Sequence, residues 1–265
     1  MGGLLLRLLM VALALALPLR AGFAADTPVD LELVLAVDVS RSMDLDEQAL
    51  QRNGYVEAFR HKEVIEAIAS GPQGRIAVSY VEWAGPSYQQ VLVPWTVIDG
   101  EAAARAFADR LAQAPISRER GTSIANSLLF VGTTFTGNDL AGSRRVIDVS
   151  GDGPNNMGVP VETARDPLVA DGVTINGLPI MIKRAGGFAS IENLDIYYED
   201  CVIGGPGAFL VTVTDIRNLA SAIRRKLVLE IASRPVLLQK AAETVSEPRI
   251  DCMIGEKLRE QWMRE

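Results

Sequence analysis

Residues 31–37 form an almost unbroken apolar run, and the chain leaves it through Asp38-Val39-Ser40-Arg41-Ser42. A run of this kind predicts a fully buried strand ending at Asp38. Residues 45–69 are helix-forming, with an interruption expected near Gly54 or His61. Gly71-Pro72-Gln73-Gly74 reads as a turn. Residues 75–83 alternate as a strand, and residues 90–97 are its predicted hairpin partner. Further helices are expected over 101–113, 122–135, 159–170 and 215–232, with Thr122 or Ser123 and Asp215 near two of the starts. Further strands are expected over 144–150, 173–181 and 208–213. Strands alternating with helices predict an α/β fold: a doubly wound, mostly parallel central sheet, helices on both faces and one antiparallel edge strand.

The first 24 residues stand apart. Arg7 precedes an apolar stretch over 8–17, Pro18 breaks it, and Gly22-Phe23-Ala24 places small residues at a cleavage site. This is the pattern of a secretory signal peptide, too short for a comfortable membrane span; an uncleaved anchor is the alternative. Export to the periplasm or the medium is therefore expected. Cleavage removes Arg7 and Arg20 and no acid, moving the formal net charge from −7 to −9. Nucleic acid and anionic lipid, which require a basic face, are poor partners for such a chain. The cysteines are two, Cys201 and Cys252. In an oxidising compartment they most simply form one disulfide, with two buried thiols as the alternative. With one histidine and no C-x-x-C pair, a zinc site is not expected. The economical division is a signal over 1–24, one domain over 30–233, and a C-terminal extension over 234–265 pinned through Cys252.

Asp38, Ser40 and Ser42 are hard oxygen donors two residues apart, suited to Mg²⁺, Ca²⁺ or Mn²⁺. In an open α/β sheet, ligands bind beyond the carboxyl ends of the strands. Two other strand-to-helix junctions carry oxygens as well: Gly121-Thr122-Ser123 and Ser150-Gly151-Asp152-Gly153. D-x-S-x-S after the first strand, a threonine opening a central helix and D-G after a later buried strand resemble the metal-ion-dependent adhesion site of von Willebrand factor A (VWA) domains. The order of elements matches over roughly 30–233. Residues 176–180 and 197–209 are similar to a bacterial exported VWA-like family of unknown function. The resemblance implies that Ser40, Ser42 and Thr122 coordinate directly, and Asp38 and Asp152 directly or through water. It further implies a Mg²⁺-type ion (Mn²⁺ or Ca²⁺ being alternatives) with an open position for an acidic residue of a partner protein. One departure stands out: Gly151 separates Ser150 from Asp152, where the family more often runs straight into Asp-Gly.

Competing readings exist. Gly121-Thr122-Ser123-Ile124-Ala125 resembles the run around a subtilisin-like nucleophile, and the order Asp38, His61, Ser123 is that of its triad, but His61 lies in a helix-forming stretch. An aspartyl-nucleophile phosphatase would need an acid where Ser40 stands. A structural envelope subunit with a merely stabilising metal, or a degenerate site whose hydroxyls only cap turns, is the bland alternative. Trp83 and Trp95 are expected to pack or to line the second-strand hairpin, and Tyr197 and Tyr198 to pack against the disulfide, with an exposed aromatic pair that contacts a partner as the alternative. Arg144 and Arg145 read as a solvated edge, and Asn155-Asn156 as an ordinary turn or part of the metal rim. Arg41 should point away from the ion, or attract an acidic group.

Overall fold

The computed structural model describes residues 26–182, 189–232 and 249–265. The expected signal peptide and the start of the extension lie outside them. Five strands form the central sheet in the order β4-β3-β2-β6-β7: β2 (Glu32–Asp38), β3 (Ile76–Trp83), β4 (Gln89–Ile98), β6 (Arg145–Gly151) and β7 (Val173–Pro179). All pairs are parallel except β3–β4. Two short strands, β1 (Thr27–Val29) and β5 (Leu140–Gly142), make a separate parallel pair that the sequence pattern did not signal. Glu32, the one acid in the apolar run, is buried there and accepts from the Gly142 amide at 2.7 Å and Asn138 Nδ2 at 2.8 Å.

Every residue of β2 is buried because helices cover both faces. Leu33, Leu35 and Val37 point into a core shared with α1 (Leu45–Arg60), α2 (Lys62–Ala69), α3 (Glu101–Gln113) and α7 (Leu219–Ala232). Val34 and Ala36 point into the opposite core, with α4 (Ile124–Thr133), α5 (Val161–Ala170) and the residues of α6 (Leu194–Tyr197) and the π-helical turn Tyr198–Val202. The expected break in the first helix falls at His61, whose side chain caps α2 by accepting from the Glu63 amide at 3.3 Å. Asp44 starts α1 with a capping box, its carboxylate and that of Glu47 each accepting from the other's amide. Edge strand β4 tolerates Pro94, whose missing N–H a central ladder would need.

Two expectations differ from what forms. Residues 208–213 run beside β7 but give two isolated bridges rather than a strand. Gly177 donates to Phe209 O, Val211 to Gly177 O, Val213 to Pro179 O and Met181 to Val213 O. The ladder breaks at Pro179, which has no N–H to give. Arg144 is not a solvated edge: it donates to the carbonyls of Glu230 at 3.0 Å and Ile231 at 3.1 Å, closing the C-terminus of α7. Arg145 is the exposed one, paired with Asp171.

An ionic cluster ties α7 to the sheet. Lys226 Nζ lies 2.6 Å from Asp148 on β6 and 2.5 Å from Glu230, all three essentially inaccessible to solvent. Burial raises the pKa of Asp148, and burial with the charge of Asp148 pushes Glu230 up to about 7. Cys201 is bonded to Cys252, closing a separation of 51 residues. Beside that link Arg249 pairs with Glu199 and Asp200, and α8 (Ile254–Arg264) follows.

Lys226→Met strips the cation from two buried acids and should cost about 3–5 kcal/mol at pH 8. Both acids have folded pKa values above their unfolded ones, so protonation favours the fold. The deficit should therefore shrink as pH falls to 5, as urea denaturation at the two pH values would show. Replacing both cysteines by serine should remove about 4 kcal/mol of unfolding free energy by the loop-closure relation, measured in the same way.

Candidate metal centre

The chain runs outward from β2 through β3 to β4 on one side and returns to place β6 and β7 on the other. The point where the order reverses lies between β2 and β6, and their carboxyl ends are Asp38 and Gly151. Val37 is in register with Ser150, which puts Asp38 alongside Gly151 and one residue from Asp152. Asp38 is fully buried, and its Oδ1 accepts from the Ser40 amide at 2.7 Å, an Asx turn that bends the chain off the strand. Ser40 Oγ and Ser42 Oγ share a hydrogen bond of 2.7 Å, and Ser42 Oγ donates to Asp152 Oδ1 at 2.5 Å. The structure thus brings Asp38, Ser40, Ser42 and Asp152 into one continuous cluster.

Thr122 is not hydrogen-bonded into that cluster; its loop is tied by its backbone to the same strand ends. The Glu119 amide donates to Val39 O, Gly85 to Arg120 O and Ser123 to Ala84 O, stitching the 119–123 loop to the ends of β2 and β3. Gly121 makes the bend with φ +82°, where a side chain would be strained and would strike Met157. Thr122 itself is buried; its amide donates to Asn156 Oδ1, and its carbonyl accepts from the Asn156 and Met157 amides. Ser123 caps α4, accepting from the Asn126 amide. Asn155 and Asn156 are more than an ordinary turn. Both are buried, and Asn155 accepts from the Ala125 amide while donating to Val159 O and, at 2.6 Å, to Glu256 on α8.

Gly151 now has a reason. An added Cβ would lie 2.9 Å from Tyr198 Oη and 3.0 Å from Asp38 Oδ2. The glycine lets β6 pass close to a buried carboxylate, so the departure from the usual pattern leaves room for Asp38.

Behind the loops, α1 turns a polar face inward that the sequence reading missed. Gln48 donates to Ser40 O, Gln51 to Ser150 Oγ, and Arg52 to Glu82 and to the carbonyls of Leu111 and Ala114. The signal was present in the spacing: Gln48, Gln51, Arg52, Tyr55 and Phe59 fall on one helical stripe and all are buried.

The donor set fits a hard cation. Burial, and then the charge of Asp152, push the pKa of Asp38 well above the usual carboxylate range. Its Oδ2 is buried without any hydrogen-bond partner. Two neighbouring acids, one with an orphaned oxygen, and two hydroxyls are what a Mg²⁺-type ion engages. Among the described residues no group of three or more His, Cys, Asp or Glu side chains is placed to hold a metal ion. A subtilisin-like triad is not assembled. His61 stands past the far end of α1, about 24 Å along the helix from its start near Ser42.

Comparison with curated proteins finds no match. Solved structures similar in fold include proximal thread matrix protein 1 from the mussel byssus, in a form described as having a zinc-occupied MIDAS motif. The match has 16% identity and a TM-score of 0.54, covering 79% of this chain and 49% of that one. The chain thus spans about half the length of that mussel protein. A von Willebrand factor type A structure from Catenulispora acidiphila matches at 15% identity and TM-score 0.51, covering 78% and 43%. The vWF domain of the type V pili tip protein Mfa5 from Porphyromonas gingivalis matches at 11% identity and TM-score 0.52, covering 77% and 95%. At these identities the likeness is one of fold. At the level of sequence, residues 28–235 match the family described as protein of unknown function (DUF1194). The chain belongs to that family, and its fold is like that of von Willebrand factor A domains.

Proposed function

We propose that this chain is an exported protein-binding module. Asp38, Ser40, Ser42, Thr122 and Asp152 hold a Mg²⁺-type ion, and a carboxylate from a partner protein completes its shell. The observation that carries the reading is the Asp38–Ser40–Ser42–Asp152 cluster at the switch point, with Asp38 Oδ2 buried and unengaged. Hydroxyl ligands neutralise little of the ion's charge, so the metal stays electrophilic toward an incoming carboxylate. The zinc-occupied MIDAS of the mussel structure and the pilus-tip setting of Mfa5 support metal-dependent adhesion on this fold. The signal-like N-terminus and the disulfide support export to the periplasm or medium. Among the described residues no helix is long and apolar enough to cross a membrane. Residues 30–233 carry the binding domain, and 234–265 form an extension tied on by Cys252.

The test is a pull-down from the envelope fraction with Mg²⁺ and then with chelator. Proteins released only by chelator are expected; recovery indifferent to chelator would favour a scaffold with no adhesive metal and overturn the reading. Ser42→Ala removes one ligand and should weaken Mn²⁺ binding about tenfold or more in isothermal titration and abolish capture. The melting temperature in chelator should move by no more than a surface-like substitution does, within about 0.5 kcal/mol.

A further inference from the structure

Tyr198 stands fully buried behind Asp38, and its hydroxyl has no hydrogen-bond partner. The Oδ2 of Asp38 is orphaned in the same way, and both oxygens flank the point that a Cβ on Gly151 would occupy, at 2.9 and 3.0 Å. They are thus near neighbours, within reach of a single bridging water. Leaving a buried polar group unpaired costs about 1–3 kcal/mol, so two facing one another call for an explanation.

The seat of the ring is built for it. A Cβ on Gly177 of β7 would meet Tyr198 Cδ1 at 2.7 Å, so glycines on two adjacent strands clear the ring's space. The π-helical turn Tyr198–Val202 begins at this residue, a geometry that re-aims side chains and recurs at functional sites. Cys201 lies in that turn, and its bond to Cys252 fastens the turn to the C-terminal arm. Phenylalanine would fill the same hollow. The hydroxyl therefore serves something other than packing.

We propose that Tyr198 is a positioning residue for the metal centre: with the ion bound, its hydroxyl donates through one water to Asp38 Oδ2 and holds that carboxylate in the orientation that meets the ion. The inference rests on the metal reading above. A carboxylate oxygen has two lone pairs, so Oδ2 can meet a cation and still accept from a water, and that second contact limits the swing of the carboxylate about its terminal torsion. Partners of this outer kind typically change metal affinity by about 10–100-fold.

The experiment compares Tyr198→Phe with the wild-type chain by isothermal titration with Mn²⁺ and by thermal melting in chelator. The dissociation constant should rise at least about tenfold, while the metal-free melting temperature stays level or increases, because without the ion this hydroxyl has no hydrogen bond to lose. A smaller change in affinity overturns the proposal. So does a fall in the metal-free melting temperature, which would trace the effect to the fold. Failure of the wild-type chain to bind Mn²⁺ would sink the metal reading itself; tight binding by both proteins would sink only the role of Tyr198.

Discussion

The carboxylate of Asp38 is the constraint around which the rest of the structure is arranged. It ends the central strand, is sealed from solvent, and sits one residue in register from a second acid, Asp152. Burial and like charge both work against its ionised form. The chain keeps it through local hydrogen bonds: the Ser40 amide on one oxygen, and the serine pair that leads across to Asp152. The remaining oxygen accepts no hydrogen bond. A divalent cation at this point would answer both the repulsion and the missing contact, and the same cluster reads naturally as its cradle.

Holding irregular loops at such a point takes support from outside them, because loops have no ladder of their own to satisfy their backbone groups. Two supports are visible. On one side α1 offers Gln48, Gln51 and Arg52 from its buried face, each spent on a backbone or side-chain oxygen of the loops and strand ends. On the other side the C-terminal arm reaches back. The disulfide fixes the turn that carries Tyr198, and Glu256 on α8 holds Asn155, three residues past Asp152. The C-terminal arm is therefore attached to the loop that follows β6 as well as to the turn that carries Tyr198.

Much of this was legible in the residues. The apolar run before Asp38, the alternation of strand and helix patterns, and oxygen donors at three strand-to-helix junctions were enough to expect the sheet and a grouping of Asp38, Ser40, Ser42, Thr122 and Asp152, of which hydrogen bonds connect all but Thr122. Local preferences carried those readings: a strand buried on both faces has to be apolar, and serine, aspartate and glycine mark places where the chain turns. Where an expectation departed from what forms, a single atom decided it. Residues 208–213 have strand composition, yet Pro179 on the neighbouring strand lacks the proton that their ladder needs. Arg144 looks like surface charge until the end of α7 arrives to receive it.

By itself, then, the chain's order of residues determined which segments are buried, where they turn, and which oxygens stand at the turns, since each depends on neighbours a few positions away. Only the tertiary structure decided what Gly151 is for, why α1 buries glutamines, and which oxygens meet no partner. Those facts arise between residues as far apart as Asp38 and Tyr198, or Asn155 and Glu256. Contacts at that separation are set by strand register and helix docking, which no local periodicity encodes.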